Sequence, residues 1–403
     1  MDLITLSIPA FFLLMGVELL VSRLSGRRLY RLNDAIADLS LGILQQVVGI
    51  FSTGALALAY VWLWREHRLL DVSSSSPLAW IAILVGVDFC YYWFHRASHR
   101  VNLAWATHAP HHSSEDYNLA VALRQGPLQP FASTWFYLPL AWLGFPPEMF
   151  ATTAAINTIY QFWIHTELVG KLGPLEWVLN TPSHHRVHHG CTGKYLDRNH
   201  AGMLIVWDRL FGTFQPEEEP PTYGTTKALA SFSPIWASVA PVVEIARVGL
   251  RSERRLDLFK VWLMPPEWRP RGQEEPLPDV EGRPKYDARP SKAVSAYVFT
   301  HFFGTVALTV GLLFFGAEFE RVWLVAGAVI VVVGLATAAG LHEQRRWALP
   351  AELARLAALA TLGAAFAFGT AAFSVVAISA SGVALASAAA LLLGRSAAAP
   401  RRA

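Results

Sequence analysis

The chain has 403 residues, of which 53% are hydrophobic and 16% charged; a soluble globular domain carries about 25% charged residues. Its formal net charge is +3 and its basic residues are scattered, so no run suits nucleic acid. Cys90 and Cys191 form no pair at metal or redox spacing, which excludes a disulfide scaffold and leaves both expected as reduced thiols.

A membrane-spanning helix needs about 20 mostly apolar residues. The first such run is Ile4–Val21. Asp2 stands in place of a basic leader segment and no small-residue cleavage site follows, so a retained span is expected. Leu39–Trp64 and Pro77–Phe94 come next. Leu128–Leu143 and Glu148–Trp163 are shorter, joined by Gly144-Phe-Pro-Pro147, and read either as two spans or as a re-entrant hairpin. A polar stretch from about 213 to 290 is rich in Pro, Glu and Arg. Inside it, Ile235–Leu250 has the pattern of an amphipathic helix lying on the membrane surface. Apolar runs resume at Ala293–Phe315, Val322–Leu341, Ala351–Phe368 and Ala371–Leu393.

The expectation is an all-α, polytopic bundle of nine spans. Its divisions are N-terminal helices over 1–75, a catalytic domain over 76–215, an interfacial linker over 216–292 and a C-terminal bundle over 293–403. Arginine placement sets the orientation. With the N-terminus outside, Arg23, Arg27, Arg28, Arg31, Arg345, Arg346, Arg395, Arg401 and Arg402 all face the cytosol, against Arg65 and Arg68. The Ala and Arg content points to a bacterial cytoplasmic membrane.

Eleven of the fourteen histidines lie between His95 and His200. Eight form three boxes: His95 and His99; His108, His111 and His112; His185, His188 and His189. On a helix, positions i, i+3 and i+4 share a face, so each box aims its imidazoles at a common region. Neutral nitrogen donors suit one or two transition-metal ions, whereas calcium and magnesium prefer oxygen. Soluble di-iron bundles use glutamates beside histidine. An all-imidazole centre at a hydrocarbon surface implies two irons, dioxygen as co-substrate and attack on an unactivated C–H bond of a lipid. A histidine-based zinc transporter or sensor is the alternative from another class; transport sites, however, lie near the bilayer midplane.

Several motifs add to this reading. Asp88-Phe-Cys-Tyr-Tyr-Trp-Phe-His95-Arg, Ser113-Ser-Glu-Asp-Tyr-Asn118 after the second box, and Tyr160-Gln-Phe-Trp-Ile-His165-Thr-Glu resemble the fatty acid hydroxylase/sterol desaturase superfamily. So do Asn180-Thr-Pro-Ser-His-His-Arg-Val-His-His189 and Trp207-Asp-Arg-Leu-Phe-Gly-Thr-Phe214. The likeness is dense from about 85 to 215 and leans toward the branch that cleaves ether lipids, the alkylglycerol monooxygenases. It implies a membrane di-iron monooxygenase that hydroxylates the carbon beside an ether oxygen and releases a fatty aldehyde. It also implies an external electron donor, with tetrahydropterin a candidate, and the eight box histidines as ligands. His165, placed where the wider superfamily has a further ligand, would be the ninth. His184 and His200 are expected outside the ligand set. A sterol desaturase or another lipid hydroxylase would use the same centre.

Metal-bound histidines usually give their second N–H to a carboxylate or carbonyl. Asp88, Asp116 and Glu167 are the candidate catalytic acids for that task, with Asp208 a further one. Arg186 would neutralise one of them. Trp207 and Phe211–Phe214 read as interfacial anchors.

Overall fold

The computed structural model describes residues 3–273, 276, 278–368 and 373–396, and among these no strand occurs. Arg401, Arg402 and the first two residues of the expected ninth span lie outside the described residues. The helices in chain order are α1 (Leu3–Leu24), α2 (Leu32–His67), α3 (Pro77–Arg100), α4 (Asn102–His112), α5 (Leu119–Ala122), α6 (Gln129–Leu143), α7 (Pro147–Trp163), α8 (Pro182–His188) and α9 (Val206–Leu210). Then follow α10 (Pro234–Leu250), α11 (Asp257–Lys260), α12 (Lys292–Phe315), α13 (Arg321–His342), α14 (Ala348–Ala367) and α15 (Phe373–Ser396).

Among the described residues six helices, against nine expected spans, are long and apolar enough to cross a membrane: α1, α2, α3, α12 with its following turn, α13 and α14. The protein is an integral, multi-pass membrane protein. The fourth and fifth expected spans are α6 and α7, of 15 and 17 residues. At about 1.5 Å per residue they fall short of the ~30 Å hydrocarbon core. Both pack on α3 rather than pairing along their length, and the turn that joins them is tied to the end of α2. Trp64 Nε1 and Tyr60 Oη donate to the carbonyls of Gly144 and Phe145 at 3.1 and 3.0 Å. Gly144 closes α6 with φ 110°, a conformation that favours glycine. Among the described residues beyond α14, Ser381–Leu392 within α15 is a shorter apolar stretch.

Two compact units result: Met1–Leu229 with Trp236–Lys285, and Ala230–Ile235 with Tyr286–Ala403. In the first, α3 is the central element. Ser76 caps it, accepting from the Ala79 amide, and Pro77 sits at its first turn. Ile83 and Val87 on α3 pack with Tyr60, Leu140 and Met149 of α2, α6 and α7. Extended Val101 then separates α3 from α4. Much of the polar stretch read as a linker packs into this unit. Ala106 on α4 shares a core cluster with Ile245 and Val261. In the second unit, Tyr297 of α12, Thr337 of α13 and Arg355 of α14 all bond to Glu352, which is buried on α14.

Candidate metal centre

Nine buried histidines converge in the first unit as two groups. His95, His99, His108, His112 and His188 form one; His111, His165, His185 and His189 form the other, and within each group the donor atoms lie within 4.8 Å of one another. His95 and His99 come from the end of α3. The second and third boxes each divide. His108 and His112 share one group while His111 joins the other; His185 and His189 share the second while His188 joins the first. Successive helical residues point about 100° apart, so adjacent histidines cannot reach the same point, whereas i and i+4 can.

Hydrogen bonds fix which nitrogen faces inward. The Nδ1 atoms of His95, His111, His165 and His188 donate to the carbonyls of His200, Arg124, Gln161 and Arg198 at 2.7–2.9 Å. His108 Nδ1 donates to Gln129 Oε1 at 2.9 Å. Each of these rings therefore carries its proton on Nδ1 and turns a bare Nε2 lone pair to the interior. There, acceptor meets acceptor. His95 Nε2 lies 3.0 Å from His108 Nε2, and His165 Nε2 lies 3.4 Å from His111 Nε2. No hydrogen can sit between two such rings, and the repulsion is relieved only by a cation. Nε2 of His99 and Nε2 of His189 are likewise buried without a partner. Protonation does not fill the need, because burial drives His108 down to about 3 and His165 down to about 4. A metal fits this donor set: two clusters of neutral nitrogens with no carboxylate in either.

The expected carboxylates lie elsewhere. Asp88 accepts from Asn157 Nδ2, the Met203 and Leu204 amides and Trp207 Nε1, at 2.6–3.0 Å, and touches no imidazole. Its role is to clamp the turn ahead of α9, and a Cβ on Gly202 would come within 2.8 Å of its Oδ1. Trp207 is thereby part of this clamp rather than a free interfacial anchor. Asp116 holds Arg31 and Lys285 at 2.9 and 2.7 Å. Glu167 takes its side-chain bond from Tyr223. Arg186 pairs with Glu217 at 2.7 Å, not with any of the three. Asp208 stands nearer the centre. It accepts the His200 and Ala201 amides at 2.7 and 2.8 Å and so places the carbonyl that orients His95.

Three residues that the sequence reading missed touch or steer the rings. Asp197 Oδ1 lies 3.6 Å from His99 Nδ1 and its other oxygen binds Arg100. It sits at φ 56° in an aperiodic loop. Gln129 fixes His108. Arg124, paired with Asp38 at 2.9 Å while fully buried, fixes the carbonyl that holds His111. A hint for the last was a lone arginine between apolar runs. His184 and His200 belong to neither group: His184 Nε2 faces Glu176 at 3.9 Å, and His200 Nε2 faces the Asp197 carbonyl at 3.2 Å. Both cysteines are free and buried.

A cavity of about 910 Å³ opens against three histidines of the first group and one of the second. His99, His112, His188 and His189 line one wall, while Trp105, Ala237, Ala240 and Ile245 supply apolar surface. Glu244, Arg247, Arg269 and Arg283 make another part of the lining polar. Residues of the expected linker thus enclose the space beside the histidines.

Residues 80–213 match the model of the fatty acid hydroxylase family. The chain is 39% identical over 350 residues to alkylglycerol monooxygenase of Homo sapiens, covering 85% of this chain and 78% of that one. It is 41% identical over 305 residues to the enzyme of that name from Xenopus tropicalis, covering 74% and 68%. A shorter likeness, 30% over 151 residues, covering 36% and 44%, is to ornithine lipid hydroxylase OlsE of Rhizobium tropici. No solved structure matches the sequence.

Proposed function

The chain belongs to the fatty acid hydroxylase family, in its alkylglycerol monooxygenase branch, and from that premise we propose that it oxidises ether lipids with a pair of irons. One iron is held by His95, His99, His108, His112 and His188, the other by His111, His165, His185 and His189. The observation that carries this reading is the two sets of inward lone pairs, five and four, with no proton able to lie between His95 and His108 or between His111 and His165.

The substrate is an alkylglycerol. Its carbon beside the ether oxygen exchanges a hydrogen for a hydroxyl, and the resulting hemiacetal collapses to a fatty aldehyde and glycerol. One oxygen atom of dioxygen enters the lipid; the other leaves as water, with two electrons and two protons from an external donor, for which tetrahydropterin is the first candidate. Bound iron supplies the redox chemistry with dioxygen that an aliphatic C–H bond requires. The chain's residues do the positioning. The carbonyls of His200, Arg124, Gln161 and Arg198 hold the ring tautomers. Asp88 and Asp208 brace the loop that carries the first of these. Asp197 steadies His99.

The centre faces the cytosol of a bacterial membrane in this reading. Support comes from the arginine-rich α1–α2 loop, which packs on the same side as the boxes: Arg31 bonds Asp116 and Arg27 Nη1 donates to the Glu167 carbonyl. The test combines metal analysis with product identification. Purified protein in lipid nanodiscs, given an alkylglycerol, dioxygen and tetrahydropterin, should hold two irons per chain and release the fatty aldehyde. Hydroxylated sterol or acyl chain without aldehyde from any ether lipid would move it to another lipid hydroxylase. Readily exchanged zinc in place of iron would end the oxygenase reading.

A further inference from the structure

Between α10 and the end of the polar stretch lies a surface that the chemistry above does not use. Arg247, Arg251, Arg254, Arg255, Lys260 and Arg271 are all exposed. The acids of the same stretch do not balance them. Asp257 is buried and accepts from Ser252 Oγ at 2.6 Å, and Glu267 is taken by Arg100 at 3.0 Å. Between residues 247 and 271 that leaves Glu253 against the six cations. Interleaved with these cations are four apolar side chains about 70% exposed: Leu250 (71%), Leu256 (73%), Phe259 (74%) and Leu263 (69%). In water such a surface is costly, since exposed apolar groups of this size normally cluster only where something covers them.

The backbone says at what depth the surface sits. α3 ends its membrane span at Arg100. The next two amides, Asn102 and Leu103, donate to the carbonyls of Met264 and Trp262 at 2.9 and 2.8 Å. The stretch is therefore pinned to the point where a span leaves the hydrocarbon. There, half-buried Trp262 and Trp268 are the residue type that favours the interface. Lys260 lies over the Trp268 ring at 5.2 Å. Apolar groups that dip below the headgroups, flanked by unbalanced cations, fit a leaflet of negative charge.

We propose that residues 250–263 form an in-plane docking surface for an anionic lipid leaflet. The adjoining Val248 and Arg247, and Val261 within the stretch, are wall residues of the 910 Å³ cavity. Lipid contact on the outer side thus bears directly on the wall of the space beside the histidines.

The test leaves turnover aside. Phe259→Cys in the full chain is labelled with an environment-sensitive fluorophore, the two native thiols being buried, and the protein is placed in nanodiscs of phosphatidylcholine with or without phosphatidylglycerol. The unsubstituted chain serves as the labelling control, and Leu256→Cys as a second position should Phe259→Cys fold poorly. Expected is a blue shift on adding the anionic lipid, quenching by spin-labelled acyl chains, and partial reversal by salt. Replacing Arg251, Arg254 and Arg255 by Gln should weaken the response about fivefold per cation removed. A water-like emission in every disc would overturn the proposal. So would a blue shift without quenching by lipid, which means a protein surface covers the face, or a shift indifferent to phosphatidylglycerol.

Discussion

The two units each bury a polar cluster among helices, and the clusters differ in one respect. In the second unit, Glu352 takes two bonds from Arg355, at 2.6 and 2.8 Å, and one each from Tyr297 and Thr337, both 2.6 Å. Every oxygen lone pair has its donor; the network closes on itself. In the first unit, Nε2 atoms face other Nε2 atoms at 3.0–3.4 Å with no hydrogen to share. A closed network specifies packing, whereas an open one specifies a missing positive charge. Burial alone does not separate structure from function; the donor–acceptor balance does.

The sharpest way to break this comparison uses neighbours in one box. His185→Ala should lose metal from its group and abolish turnover. His184→Ala, whose ring faces Glu176, should keep its metal. Iron content per chain reads both. Equal loss in the two variants would mean that ring direction does not decide the ligand set. In the closed network, Glu352→Leu alone should cost about 3–5 kcal/mol by stranding Arg355. The double change Glu352→Leu with Arg355→Leu should recover most of that, as thermal unfolding of the nanodisc-held protein can show. If the single and double variants unfold alike, the pair is not an isolated unit of stability.

The open cluster carries its own pH signature. Burial holds His108 and His165 down to about 3 and about 4 in the folded chain, against about 6.5 unfolded. A group depressed in the folded state gives stability that is full above its unfolded value and lost as pH falls through the folded one. The metal-free protein should therefore weaken progressively from about pH 6.5 to about pH 3, measured by denaturant midpoint. A flat profile across that window would sink the claim of neutral rings. The smallest effect is expected at Gln129→Leu. It removes the acceptor for His108 Nδ1 but no donor to the metal, and should lower iron affinity about 10–100-fold.

How much was legible in advance differs between these parts. The boxes were visible because helical spacing is local: His95 and His99 share a face whatever surrounds them. Asp88 was visible as an acid inside an apolar run, but its partners were not. Asn157, Met203 and Trp207 reach it across 69–119 residues of sequence. Asp197, Gln129 and Arg124 gave no periodic signal, because each acts through a single contact made by packing. The arrangement of α6 and α7 was undecided by hydropathy, since short apolar helices read alike whether they span or fold back.

What the sequence alone determined is the chemistry on offer: a membrane chain with imidazoles in helical register and a family resemblance strong enough to imply iron and a lipid. Only the tertiary structure decided how those imidazoles are dealt between two groups, with His111 and His188 crossing over from their own boxes. It also decided that four of the rings are oriented by backbone carbonyls and a fifth by the Gln129 side chain, rather than by acids, and that the supposed linker walls the cavity beside them. The reason is physical. Helical spacing sets directions from a single axis, whereas a coordination site is the point where directions from several axes meet, and that point exists only once the helices are packed.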